Sequence, residues 1–89
     1  MHFEWDPGKA VGNADKHGVA FEVACTVFAD PLSATQENRF GGELRFITVG
    51  YSATGRLLLV AHTDRDDAIR IISARPATSA ERKRHEESV

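Results

Sequence analysis

The run His62-Thr63-Asp64-Arg65-Asp66-Asp67-Ala68-Ile69-Arg70-Ile71-Ile72-Ser73-Ala74-Arg75-Pro76-Ala77-Thr78 reads as a strand end, a tight acidic turn, a second strand and the approach to a helix. Ile69, Ile71 and Ile72 are β-branched and suit a pleated, half-buried surface. Asp66-Asp67 suits a turn, because Asp side chains bond nearby backbone N–H groups. Arg70 and Arg75 interrupt the apolar run. Their offset is odd, so a regular strand points them to opposite sheet faces. An Arg on a strand costs rotamer entropy and desolvation unless it meets an anion or a carboxylate. Two uses answer that need. Pairing with Asp64, Asp66, Asp67 or Glu81 would simply hold the sheet together. An open arrangement beside His62, which titrates near neutrality, would suit work on phosphate.

Upstream, Arg56 to Thr63 is a strand whose Leu57-Leu58-Leu59-Val60-Ala61 run is apolar on both faces, which places it centrally in a sheet. Ala53-Thr54-Gly55 makes a hairpin turn before it. Leu44 to Ser52 alternates as a further strand, with Arg45, Ile47, Val49 and Tyr51 on one face and Leu44, Phe46 and Thr48 on the other. Leu32 to Thr35 suggests a short strand, and the polar Glu37 to Glu43, with Gly41-Gly42, reads as a loop.

Near the start, Phe3 and Trp5 alternate around Glu4 like a short first strand. Asp6-Pro7 pairs an N-cap with Pro at the first helical position, so a helix runs from Pro7 to His17 and stops at Gly18. A second helix is expected from Ala20 to Phe28, weakly started because Ala20 offers no capping group. Asp30-Pro31 closes this helical hairpin. At the far end, Thr78-Ser79-Ala80-Glu81 matches a capping box. The helix it starts is nearly all charged and has no apolar stripe to bury, so salt bridges or a partner would have to order it. Grouped helices and strands give an α+β fold: two N-terminal helices on one face of an antiparallel sheet, then a short C-terminal helix, in one domain over residues 1–89.

Composition narrows the function. At 89 residues the chain supports one modest core. No apolar run is long enough to span a bilayer, and no basic-then-apolar leader is seen, so the cytoplasm is the expected compartment. The single Cys25 excludes an internal disulfide and fits an inert core role. The net charge of -2 is unusual for a nucleic-acid binder, but Arg56, Arg65, Arg70, Arg75, Arg82, Lys83 and Arg84 cluster in the second half. The four His residues lack ligand spacing, so neither a metal nor another cofactor is expected. No phosphate loop or nucleophile elbow is present.

Metal-free RNA cleavage remains open to such a residue set. The substrate's 2′-hydroxyl attacks the adjacent phosphorus, and the protein moves protons and holds the phosphorane charge. His62 could serve as acid or base, with Arg65, Arg70, Arg75 and Lys9 as phosphate donors. Each has a plainer use as well: a satisfied histidine at a strand end, paired arginines, a solvated helix lysine.

Phe3-Glu4-Trp5-Asp6-Pro7 with Lys9, then Asn13, Lys16-His17-Gly18-Val19, Phe21-Glu22 and Phe28 with Asp30-Pro31, resembles the start of the BrnT toxins. Arg45-Phe46, Val49-Gly50, Gly55-Arg56-Leu57-Leu58, His62-Thr63, Arg65, Ile69 to Arg75, Ala77-Thr78 and Glu81-Arg82 are similar to the rest of that family. The resemblance implies a RelE-like type II toxin, an endoribonuclease that halts translation. It also implies neutralisation by a BrnA antitoxin, with DNA reached only through that partner. Carried over, the cleft residues are Lys9, His62, Arg65, Arg70 and Arg75, with Arg82 as a further candidate, while Asn13 and His17 fix the first helix to the sheet. His85 stands where the family often has an aromatic residue, so docking of the last helix is in question. A non-catalytic module that holds an acidic peptide, or an inactive toxin scaffold, is the alternative.

Overall fold

The computed structural model describes residues 1–88, and at Phe40 the backbone alone. The elements run β1 (His2–Glu4), α1 (Pro7–His17), α2 (Phe21–Ala24) continued by a 3₁₀ segment (Cys25–Ala29), β2 (Ala34–Phe40), β3 (Glu43–Tyr51), β4 (Leu57–Arg65), β5 (Ala68–Pro76) and α3 (Ser79–Ser88). The strands form one sheet in the order β1-β5-β4-β3-β2, with β4 at its centre as the doubly apolar run requires. The sheet is mixed rather than antiparallel throughout. β1 lies parallel to β5, through His2–Ala68, Phe3–Ile69 and Glu4–Arg70. Joining parallel neighbours needs a long crossover, which the helices and the meander supply.

α1 begins and ends as its residues dictate. The Asp6 carboxylate accepts from the Lys9 backbone N–H at 3.0 Å, Pro7 opens the helix, and Gly18 closes it in the left-handed region at φ 68°. Beyond Glu4 the outer edge of β5 is taken over by α1. Asn13 donates to the Ala74 carbonyl at 2.9 Å and accepts from the Ala74 N–H at 3.0 Å, so one buried amide stands in for a neighbouring strand. α2 has no side-chain cap at Ala20 and tightens into the 3₁₀ segment after one turn.

The polar stretch read as a loop is a strand. β2 pairs with β3 along its whole length, from Ala34–Val49 to Phe40–Glu43. Gly41 and Gly42, at φ 61° and 83°, make the two-residue turn that needs positive φ at both positions. Its polarity follows from its place at the sheet margin, where Ala34 to Arg39 are exposed.

Val19, Phe21, Ala24 and Val27 pack against Leu58, Val60, Ile71 and Ala74, so the core lies between the N-terminal helices and one sheet face. Gly50 lets the 3₁₀ segment approach: a Cβ there would lie 2.9 Å from both Val27 Cγ1 and Ser33 Cβ. β5 carries a bulge opposite Ala61/His62. Ser73 pairs with Ala61 and Ile71 with His62, which leaves Ile72 as the extra residue. The bulge overturns the opposite-face expectation for Arg70 and Arg75. They pair with Thr63 and Leu59, which share a face, so both point away from the core.

α3 lies on that second face. A groove of about 250 Å³ separates Glu81, Arg84, His85 and Ser88 from Ala34, Gln36, Ile47, Val49 and Leu59. The capping box forms, with Thr78 N–H donating to Glu81 at 2.9 Å and Glu81 N–H to the Thr78 hydroxyl at 3.1 Å. His85 is buried and its ring lies 6.3 Å from that of Tyr51, so the helix docks without an aromatic residue at 85.

Candidate active site

The half of the second face left open by α3 is a cleft of about 320 Å³, lined by Lys9, Glu43, Leu44, Arg45, Thr63, Arg65, Arg70 and Ile72. Four cations reach it from four elements. Lys9 comes from the first turn of α1, whose start is set by the Asp6 cap and whose distance from the sheet is set by Asn13. Arg45 projects from β3, its Nη2 3.5 Å from Glu43 Oε2. Arg65 ends β4, where Asp66 turns the chain at φ 53°. Arg70 projects from β5 and donates through Nη1 to Glu4 Oε2 at 2.9 Å. Both partners of that pair are about one-third exposed, at 34% and 36%, and a guanidinium has further donors to offer a phosphate.

Lys9, Arg65 and Arg70 are thus brought together as expected, but His62 and Arg75 are not with them. His62 shares the core face with Leu58 and Val60 and is 3% exposed. Its Nε2 lies 2.8 Å from the Thr48 hydroxyl, which lies 2.7 Å from that of Thr35. Phe28 meets the ring edge-on at 4.9 Å and Phe46 stacks on it at 5.6 Å. Nδ1 faces an Asp64 oxygen at 3.5 Å, beyond good hydrogen-bond length. Burial pushes the imidazole below its ordinary value, and the Asp64 carboxylate only partly offsets this, so the ring is held neutral. The expectation of an imidazole beside the arginines is therefore corrected: the sheet itself separates His62 from the cleft.

Arg75 shares the face of Arg70 but is already engaged. Its guanidinium makes two 2.8 Å bonds to the Glu81 carboxylate, a bidentate pair at the root of α3. Those bonds, helped by the Thr78 N–H, hold the Glu81 carboxyl down at about 2. Arg82 reaches the Tyr51 hydroxyl at 3.4 Å and does not line the cleft. Burial raises the Cys25 thiol to about 11, which makes it a poor nucleophile. Among the described residues no cluster of His, Cys, Asp or Glu could hold a metal ion, and no helix is long and apolar enough to cross a membrane.

Arg45, Glu43 and Thr63 lie outside the expected set of site residues. Alternation places Arg45 on the face of Ile47 and Val49, but only the register shows that this face also carries Thr63 and Arg70. What the cleft offers chemically is dense positive charge at a solvent-open surface, suited to a phosphodiester.

A search of curated proteins finds no match. Among solved structures, the ribonuclease toxin BrnT of Brucella abortus shares the fold, with a TM-score of 0.67 at 21% identity, covering 89% of this chain and 99% of that one. The family model for BrnT, the ribonuclease toxin of type II toxin-antitoxin systems, matches residues 5–81. With most of its length so matched, the chain belongs to the BrnT family of ribonuclease toxins.

Proposed function

We propose that this chain is a metal-independent endoribonuclease that cleaves RNA at the cleft of Lys9, Arg45, Arg65 and Arg70 and so inhibits translation in the cytoplasm. The observation that carries the reading is the convergence of those four cations, from four separate elements, on one open cleft. In the proposed reaction the ribose 2′-oxygen loses its proton and attacks the adjacent phosphorus. The P–O5′ bond breaks and the 5′-oxygen takes up a proton. Charge accumulates on the non-bridging oxygens meanwhile, and fixed guanidinium and ammonium groups are the donors that stabilise it. A lining so rich in cations repels a divalent metal and supplies the same positive charge, which supports metal independence.

A BrnA-type antitoxin is the proposed neutralising partner, and DNA is reached through that partner alone. The two helices against one sheet face also support a RelE-like description of the architecture. The test is cleavage of RNA by the purified chain in excess chelator. The expected products carry 2′,3′-cyclic phosphate and 5′-hydroxyl ends, and the antitoxin should suppress them. RNA that stays intact while the chain binds it tightly would point to a binding module instead.

A further inference from the structure

Charge stabilisation is half of the chemistry, and a proton acceptor is the other half. Lys and Arg are protonated near neutrality and accept poorly. His62, the imidazole on the neighbouring strand, is turned into the core. Among the described residues lining the cleft there is one carboxylate, that of Glu43. It is the first residue of β3, directly after the Gly41-Gly42 turn, and shares a face with Arg45. Its side chain is 59% exposed, and the 3.5 Å approach to Arg45 is longer than a tight charge-assisted bond, so its oxygens remain able to accept.

We infer that Glu43 is the general base of the cleft, its carboxylate taking the proton of the attacking 2′-hydroxyl. The inference rests on the ribonuclease reading of the cleft. As the O2′–P bond forms and the P–O5′ bond breaks, the Lys9 ammonium gives a proton to the leaving 5′-oxygen. Solvent then takes the proton from Glu43 and returns one to Lys9, and the enzyme is restored. Arg45 beside Glu43, Arg65 on β4, and Arg70 with its Glu4 partner on β5 surround the reacting phosphate and offset its developing charge.

The test uses the full chain and a short fluorescent single-stranded RNA of mixed sequence, followed in chelator. Glu43→Gln keeps size and polarity and removes the basic oxygen. It should lower kcat by about 100-fold, the scale of a lost general base. It should leave KM within about twofold, since uniform binding is untouched, and abolish the acid limb of the pH–rate profile. Glu43→Asp should recover part of the rate and keep that limb. An exposed hairpin-end residue leaves the circular dichroism unchanged in either variant. If Glu43→Gln cleaves like the parent while Arg65→Ala/Arg70→Ala is inactive, Glu43 is not the base and the cleft reading stands. If all three cleave alike, or the parent does not cleave, the cleft reading itself fails and the inference with it.

Discussion

Asn13 satisfies both backbone groups of Ala74, with bonds of 2.9 and 3.0 Å, although the two residues lie 61 positions apart in the chain. It also donates to the Val19 carbonyl at 2.9 Å, so one amide fixes α1, the turn after it and the edge of β5. Asn13→Ala removes the partner of the Ala74 N–H and of the Ala74 and Val19 carbonyls. The expected loss is about 2–4 kcal/mol, read as a lower urea midpoint with an unchanged m-value.

The neutral His62 predicts a pH dependence of stability. Burial depresses its folded pKa below the ordinary value of about 6.5. The unfolded chain therefore binds the proton more readily, and stability falls with pH below that value. Its contribution is fully present above about pH 6.5 and is lost as pH drops toward and through the lower folded pKa. Urea unfolding from about pH 8 to about pH 5 should show this decline, and His62→Phe should flatten it.

Arg75 and Glu81 should govern α3 rather than the reaction. Glu81→Ala removes the bidentate pair and half of the capping box. It is expected to cost about 1–2 kcal/mol, discounted for solvent exposure. Since Glu81 is held at about 2, this contribution persists above the ordinary carboxylate range and disappears as pH falls toward 2. Faster amide exchange confined to residues 79–88 is the readout, and Arg75→Ala should reproduce it.

RNA affinity should track the lining cations. Each phosphate that the protein ceases to neutralise reduces the slope of log K against log salt by about 0.7 for a single strand. Lys9→Ala and Arg65→Ala should each lower the slope by roughly that amount, and Arg82→Ala should leave it unchanged. Filter binding across a salt series, with a cleavage-blocked 2′-deoxy substrate, measures it.

Gly50→Ala should be destabilising, because the new methyl meets Val27 and Ser33 at 2.9 Å and Asp30 Oδ2 at 3.2 Å. A cost of about 1–3 kcal/mol is expected for such overpacking. Thermal melting of the variant checks it.

Local signals make much of this architecture legible. Asp6-Pro7 and Gly18 bound α1 as read, and Thr78 with Glu81 starts α3. The doubly apolar β4 is central. What escapes is set by non-local pairing. The composition of β2 resembles a loop because an edge strand need not be apolar. The parallel seat of β1 depends on a strand more than sixty residues away. The bulge at Ile72 leaves no mark in residue type, yet it moves Arg75 onto the face of Arg70. The burial of His62 escapes as well: Leu57 to Ala61 is apolar on both faces, and only the packing shows that His62 continues the Leu58, Val60 face turned to the core. Lys9, Arg65 and Arg70 follow from chemistry and family pattern. Their meeting with Arg45 and Glu43 requires the cross-strand register.

β1 pairs with Ala68 to Arg70 and Asn13 takes both backbone groups of Ala74, so β5 is not an edge, and the sheet ends on the three-residue β1 and the seven-residue β2. A seven-residue edge offers a backbone template to another strand, and a three-residue edge offers little. Any lateral pairing of this toxin's folded sheet with a further strand is therefore expected at β2.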